Sequence, residues 1–361
     1  MNKTLAIGRS KDIYIAHALR QHITHTQKFV YIDIDWSVIR WCSDLIAQNI
    51  DDYMIIDLSN TSYIPTYNPL EHMSSNQLIG IFVWLFGAEV FGPRVQEYLR
   101  NAVNLMHGSP QDYILAQIPL LFIDSSFRDS VISASTDAIA VKRFTTIYAN
   151  MAQREKDEMI SYFGAKFSVF LSDDKLRYIF GWLQSSVSLT KAIESQQNII
   201  ILMWSDLWSE NTKFLSAFII ANIQHITWYT LIINNLSSYH SSIKTLIEWP
   251  QDGIYWLTYL DQINHKESII WCCNSFAVCD IWHIDAEFLN FASMSGNEGD
   301  RIRSSQTSVN WYYDIDTWSY AQFDTPIAHD EKYQIIMDIN ALKYGIEKSI
   351  LDMEIRHTLQ I

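Results

Sequence analysis

Short apolar runs alternate with helically spaced stretches in the first sixty residues. Residues 4–7 form a buried-strand run, a helical pattern spans about 12–27, and residues 29–33 form a second strand run. A further helical stretch, about 37–48, leads to a third run at 53–57. Continuous apolar strands separated by helices predict βαβ units, and so a mainly parallel sheet with helices on its faces. From about residue 74 to 195 the period becomes almost wholly helical, with segments at 77–86, 95–106, 138–153 and 158–171. Strand-length runs return at 198–203, 228–233, 254–258 and 268–272, with a helix over 212–224 between the first two. The pattern predicts an α/β core made of residues 1–73 and 196–292, a helical insertion over 74–195, and a C-terminal extension over 293–361. The extension is aromatic and acidic around Asn310-Trp-Tyr-Tyr-Asp-Ile-Asp-Thr-Trp318 and is expected to end in a helix from Asn340.

Composition narrows this picture. The chain has 361 residues, 48% of them hydrophobic, enough to bury a large core. No apolar run approaches the roughly 20 residues that span a bilayer, and Met1 runs into a strand without a basic leader, so the expected compartment is the cytoplasm. Lys and Arg total 26 against 40 Asp and Glu, a formal charge of −14 that opposes non-specific attraction to phosphate backbones. Binding to DNA would need a local basic patch. The cysteines, Cys42, Cys272, Cys273 and Cys279, lack paired metal-ligand spacing and read as buried reduced thiols.

The order of features carries a resemblance. Strand, helix and strand are followed by Tyr67-Asn-Pro-Leu-Glu71, then Phe86-Gly87, Gly92-Pro-Arg94 and Leu99-Arg-Asn-Ala102. Next come Ile118-Pro-Leu-Leu-Phe-Ile-Asp124, Phe127-Arg128, Lys166-Phe-Ser-Val-Phe-Leu-Ser172 and the strand at 198–203. Over roughly residues 4 to 290 this series resembles the RecA-like ATPases related to HerA, FtsK and the type IV secretion coupling proteins, above all their conjugative DNA-transfer branch. The resemblance implies a RecA-like P-loop-type sheet with a helical insertion.

It also implies where the chemistry would sit. An active relative follows its first strand with G-x-x-x-x-G-K-[ST], whose amides and Lys hold phosphates and whose hydroxyl binds magnesium. This chain has Gly8-Arg-Ser-Lys-Asp-Ile-Tyr-Ile15. Gly8 matches, but Ile13 stands for the second glycine, Tyr14 for the lysine and Ile15 for the hydroxyl residue. Asp12, read as a helix N-cap, would place a carboxylate where a phosphate would bind and so fill the anion site itself. An active relative also ends the strand before its catalytic turn in Asp-Glu; here Asn234 and Asn235 occupy those positions. Neutral amides neither act on magnesium-bound water nor orient an attacking one.

The expected reading is therefore a catalytically inactive member, without ATP, magnesium or another metal, working through a protein partner such as an active ATPase, a nuclease or a DNA-transfer component. Two other readings stand beside it. One is a slow ATPase that binds nucleotide and magnesium through displaced residues such as Arg9 and Lys11. The other is a nucleic-acid module in which Arg94, Arg100, Lys142, Arg143 and Arg154 converge on the helical insertion. His17, His22 and His25 share a helix, but no acidic or cysteine partner accompanies them, so a solvated helix face is expected rather than a metal site.

Overall fold

The computed structural model describes residues 3–7, 11–34, 36–203, 210–223, 228–234, 253–257, 275–278, 311–314, 319–322 and 327–359. Its strands are β1 (Lys3–Ile7), β2 (Phe29–Asp33), β3 (Tyr53–Asp57), β4 (Tyr63–Pro65), β5 (Asn198–Leu202), β6 (Thr230–Ile233), β7 (Gly253–Leu257), β8 (Ser275–Val278), β9 (Trp311–Asp314), β10 (Ser319–Gln322) and β11 (Gly345–Glu347). The described residues pack as two compact units, one from Met1–Ser59, Leu189–Trp208 and Asn222–Lys343, the other from Asn60–Ser188, Ser209–Ala221 and Tyr344–Ile361.

The first unit is built on a sheet of order β10-β9-β8-β1-β7-β6-β2-β5-β3. The seven strands from β8 to β3 run parallel, and β9 and β10 extend them as an antiparallel pair. The chain thus has the mainly parallel sheet that the alternation of runs predicts, in the RecA-like, P-loop-type form that the resemblance implies. Sequences such as Phe-Val-Tyr-Ile-Asp in β2 and Asn-Ile-Ile-Ile-Leu in β5 are buried at every position, as strands covered on both faces must be. Helices α1 (Lys11–Thr24) and α2 (Ser37–Ile46) pack Ile15, Leu19, Val38, Ile39 and Cys42 against Tyr31, Ile55 and Ile200. The helix Asp330–Tyr344 adds Ile336 and Met337 to the same core. Its Asn340 is buried, donates to the Ile336 carbonyl (3.0 Å) and accepts from the backbone N–H of Ile55 in β3 (3.1 Å).

The second unit is helical. After β4 come α3 (Pro69–His72), α4 (Ser75–Phe86) and α5 (Pro93–His107), then short helices and the longer Gln153–Phe167. The starts and stops are local. Asn68 caps α3 and Pro69 opens it, Ser74 and Gln77 form a reciprocal capping box on α4, and Gly87 ends α4 at φ +83°, a conformation costly to any residue with a Cβ. The core is a chain of phenylalanines, with Phe122 stacked on Phe163 (centroids 4.6 Å, planes 3° apart), Phe82 on Phe167 (4.8 Å) and Phe180 against Phe218 (5.0 Å). Such offset aromatic contacts add to the area they bury.

Several boundaries differ from the sequence expectation. The helix expected over 138–153 is Ala138–Lys142 followed by a π-helical turn, Arg143–Tyr148, and a fresh helix from Gln153. The terminal helix starts at Asp330 rather than Asn340, with Asp330 and Glu331 favourably placed at its positive end, and it breaks at β11, which pairs antiparallel with β4. Residues 60–73 pack with the helical unit and residues 327–343 with the sheet unit. The strand expected at 268–272 lies outside the described residues.

Candidate functional site

The ends of two strands and the starts of two helices meet at the carboxyl edge of the parallel sheet, where open α/β folds place their ligands. In β2 and β6, neighbours in register with Ile32 opposite Ile233, the next residues are Asp33 and Asn234. The Asn234 N–H continues the ladder to the Ile32 carbonyl (3.0 Å), and the Met203 N–H donates to the Asp33 carbonyl (2.8 Å). Register alone therefore brings the two side chains together. Both are wholly buried.

Their polar atoms are paired. Asn234 Nδ2 donates to Asp33 Oδ2 (2.9 Å) and, at longer range, to Asp12 Oδ1 (3.4 Å). Asp33 Oδ2 also accepts from the Tyr31 hydroxyl, which lies on the same strand face two residues earlier, and Oδ1 accepts from the Ile34 N–H (2.7 Å). Ser37, the first residue of α2, directs its hydroxyl to Asp12 Oδ2 (3.5 Å). Burial, then the charge and hydrogen bond of Asp33, push the Tyr31 phenol well above its ordinary pKa, so it stays a donor. The amide of Asn234 thus neutralises nothing but donates to two acids, which an aspartate or glutamate there could not do.

Asp12 lies inside the first turn of α1, one residue past its start, and not at the N-cap position expected from sequence. Its carboxylate still sits at the positive end of the helix. Ile15, which the resemblance aligns with the hydroxyl residue of an active relative, is fully buried in the sheet core, and Tyr14 packs against that core half-buried. Ile13 is half-buried too. Gly8, Arg9 and Asn235 lie outside the described residues. Asp33, Tyr31 and Ser37 were not singled out from sequence. The available signal was an acid ending an otherwise apolar strand, Phe-Val-Tyr-Ile-Asp, on the edge that faces α1.

Other sequence candidates resolve locally. His22 Nδ1 and His25 Nδ1 donate to the carbonyls four residues earlier, Ala18 (2.9 Å) and Gln21 (2.8 Å). Among the described residues no group of three or more His, Cys, Asp or Glu is arranged to hold a metal ion. On the helical unit Arg94 pairs with Glu155 (3.1 Å), Arg143 with Glu97 (3.0 Å) and Arg154 with Glu158 (3.3 Å), while Arg100 donates to Asn76 (3.2 Å). Cys42 is buried and unbridged. No described helix is long and apolar enough to cross a membrane.

No protein-family model matches the sequence, and no curated protein matches it. Among solved structures the chain is similar to the bacterial conjugative coupling protein TrwBdeltaN70. The match is 12% identical at TM-score 0.46 to the trigonal form with sulphate, over 76% of this chain and 69% of that one. To the unbound monoclinic form it is 10% identical at TM-score 0.47, over 76% and 67%. It is also similar to VirB4 of Thermoanaerobacter pseudethanolicus, at 10% identity and TM-score 0.55, over 92% of this chain and 91% of that one. The chain has the fold of VirB4, a RecA-like, P-loop-type sheet with a helical unit, of the kind that the order of its sequence motifs resembles.

Proposed function

We propose that this chain is a catalytically inactive relative of the DNA-translocating and coupling ATPases, serving as a structural or regulatory subunit of a protein assembly. The observation that carries the reading is the filled edge of the sheet. Asn234, aligned by the resemblance with the first acid of an active pair, gives its amide to Asp33 and Asp12 in a set of internal hydrogen bonds. A nucleotide phosphate arriving at the start of α1 meets the Asp12 carboxylate instead of a lysine and a hydroxyl. Like charge in a partly buried site opposes it. Ile15, aligned by the resemblance with the hydroxyl residue that would bind magnesium, is an apolar side chain buried in the core and supplies no ligand.

The work left to such a chain is association. Its partner is a protein of a larger machine, an active ATPase, a nuclease or a component of DNA transfer. The acid-paired arginines of the helical unit support a protein partner over a nucleic acid, because a phosphate backbone would have to compete with the glutamates already holding them. The test is magnesium-dependent ATP binding by calorimetry on the wild-type chain beside Asp12→Ala. Absence of heat in both supports the reading. Micromolar binding by the wild type would overturn it, and turnover would then be measured directly.

A further inference from the structure

The helical unit holds a cavity of about 490 Å³ bounded by α3, the start of α4 and the end of α5 with the loop that follows. The segment Tyr67-Asn-Pro-Leu-Glu71, part of the family-like series but unused by the sheet-edge site, builds one wall. Asn68 is buried with all its polar atoms turned into the protein: Nδ2 donates to the carbonyls of Tyr113 (2.8 Å) and Leu183 (2.7 Å), and Oδ1 accepts from the Leu70 N–H (3.1 Å). It fixes the wall and leaves recognition to its neighbours. Tyr67 stacks on His72 (centroids 5.4 Å, planes 15° apart), and His72 Nε2 lies 2.9 Å from Ser185 Oγ.

The acidic groups of the lining, Glu71 and Asp112, stand beside the Gln111 amide and the Ser109 and Tyr113 hydroxyls. Glu71 Oε2 takes the Ser185 N–H (2.7 Å) and lies 3.6 Å from His72 Nε2, which leaves Oε1. Asp112 is exposed and makes no hydrogen bond or ion pair among the described residues. His107 Nε2 must donate to the Leu70 carbonyl (2.8 Å), so the neutral ring keeps its lone pair on Nδ1. Leu70, Met73 and Met106 supply apolar and thioether surface, and no lysine or arginine lines the cavity. An anion would meet two carboxylates there, whereas a cation on an aliphatic stem finds acceptors for its N–H groups and a soft wall for its methylenes.

We propose that this cavity binds an alkylammonium or guanidinium group, delivered either by a free polyamine or by a lysine or arginine side chain of a partner protein. The full chain is titrated calorimetrically with spermidine and, separately, with a short acetylated, amidated arginine peptide, in roughly 0.15 M salt to screen the overall negative charge. Variants Asp112→Asn, Glu71→Gln and Asp129→Asn are run in parallel. Asp129 is an exposed acid away from the cavity lining, and glutamine at 71 keeps an acceptor for Ser185, so its effect reports charge rather than folding. The expected result is saturable binding by the wild type and Asp129→Asn, weakened roughly tenfold or more in Asp112→Asn and Glu71→Gln. Saturation by spermidine identifies a free polyamine, and saturation by the peptide alone identifies a partner side chain. No binding of either probe at millimolar concentration, or equal weakening by Asp129→Asn, would overturn the proposal.

Discussion

Replacing Asn234 with aspartate should damage the fold. The side chain is wholly buried and donates to Asp33 Oδ2 at 2.9 Å and Asp12 Oδ1 at 3.4 Å. Aspartate removes both donors and sets a third carboxylate against two others. A hydrogen bond to a charged group is worth about 1.5–3 kcal/mol, and like charges about 4 Å apart repel by about 4 kcal/mol at an effective dielectric of 20. These overlap rather than add, because the new acid can take up a proton, so a net loss of about 3–5 kcal/mol is expected. By the size scaling of melting temperatures this lowers the Tm of the sheet unit on the order of 10 °C. Calorimetry or circular dichroism on wild type, Asn234→Asp and Asn234→Ala separates the terms, since alanine removes the donors without adding charge. Crowding raises the carboxylate pKa in the folded state above its unfolded value. The deficit of Asn234→Asp is therefore complete above the folded pKa and closes as pH falls below the unfolded value, roughly 4. Adding Asp12→Asn to Asn234→Asp should recover part of the loss, as interacting sites do. An Asn234→Asp protein as stable as wild type at neutral pH would refute the network.

Other outcomes follow from the same geometry. Asn68→Ala removes three hydrogen bonds from a buried position and should cost about 3 kcal/mol, read by chemical denaturation of the helical unit. Phe163→Ala, at the centre of the phenylalanine chain, should cost about 3–5 kcal/mol by the same assay. Arg20 grips Asp44 through two bonds, 2.6 and 3.0 Å. Burial pushes the Asp44 pKa up, but the Arg20 hydrogen bond and charge outweigh it and hold the carboxyl below its usual value. Its stabilisation is present above the unfolded pKa and lost as pH falls through the folded one, so Asp44→Asn should cost about 1 kcal/mol at pH 7 and almost nothing in strong acid. Burial raises the Cys42 thiol far above its ordinary pKa, so the peptide containing Cys42 should resist maleimide in the native chain and label fully in denaturant.

Much of the architecture was legible because parallel strands buried on both faces are short continuous apolar runs; β2 and β3 fall on the very residues their sequences suggest. Where the signal depends on partners, it fades. β11 is three residues that become a strand only by pairing with β4, and the π-turn at Arg143–Tyr148 interrupts a stretch whose helical period continues through it. The amide at Asn234 was readable by position. Its meaning was not, because Asp33 becomes its partner only through the alignment of β2 with β6, and Asp12 only through the docking of α1 at the sheet edge. A register between strands two hundred residues apart leaves no local trace in sequence.

The contact between Asn340 and β3 bears on how this molecule can join others. β3 is the last strand of its sheet, and the outward N–H of Ile55 is the kind of unpaired donor that recruits a strand from another chain. A side-chain carbonyl, carried on a helix and tethered back to Ile336, stands in for the missing neighbour and closes that docking point. Growth of the sheet by backbone addition is stopped there. A strand added on this flank would first have to displace the Asn340 carbonyl from the Ile55 N–H.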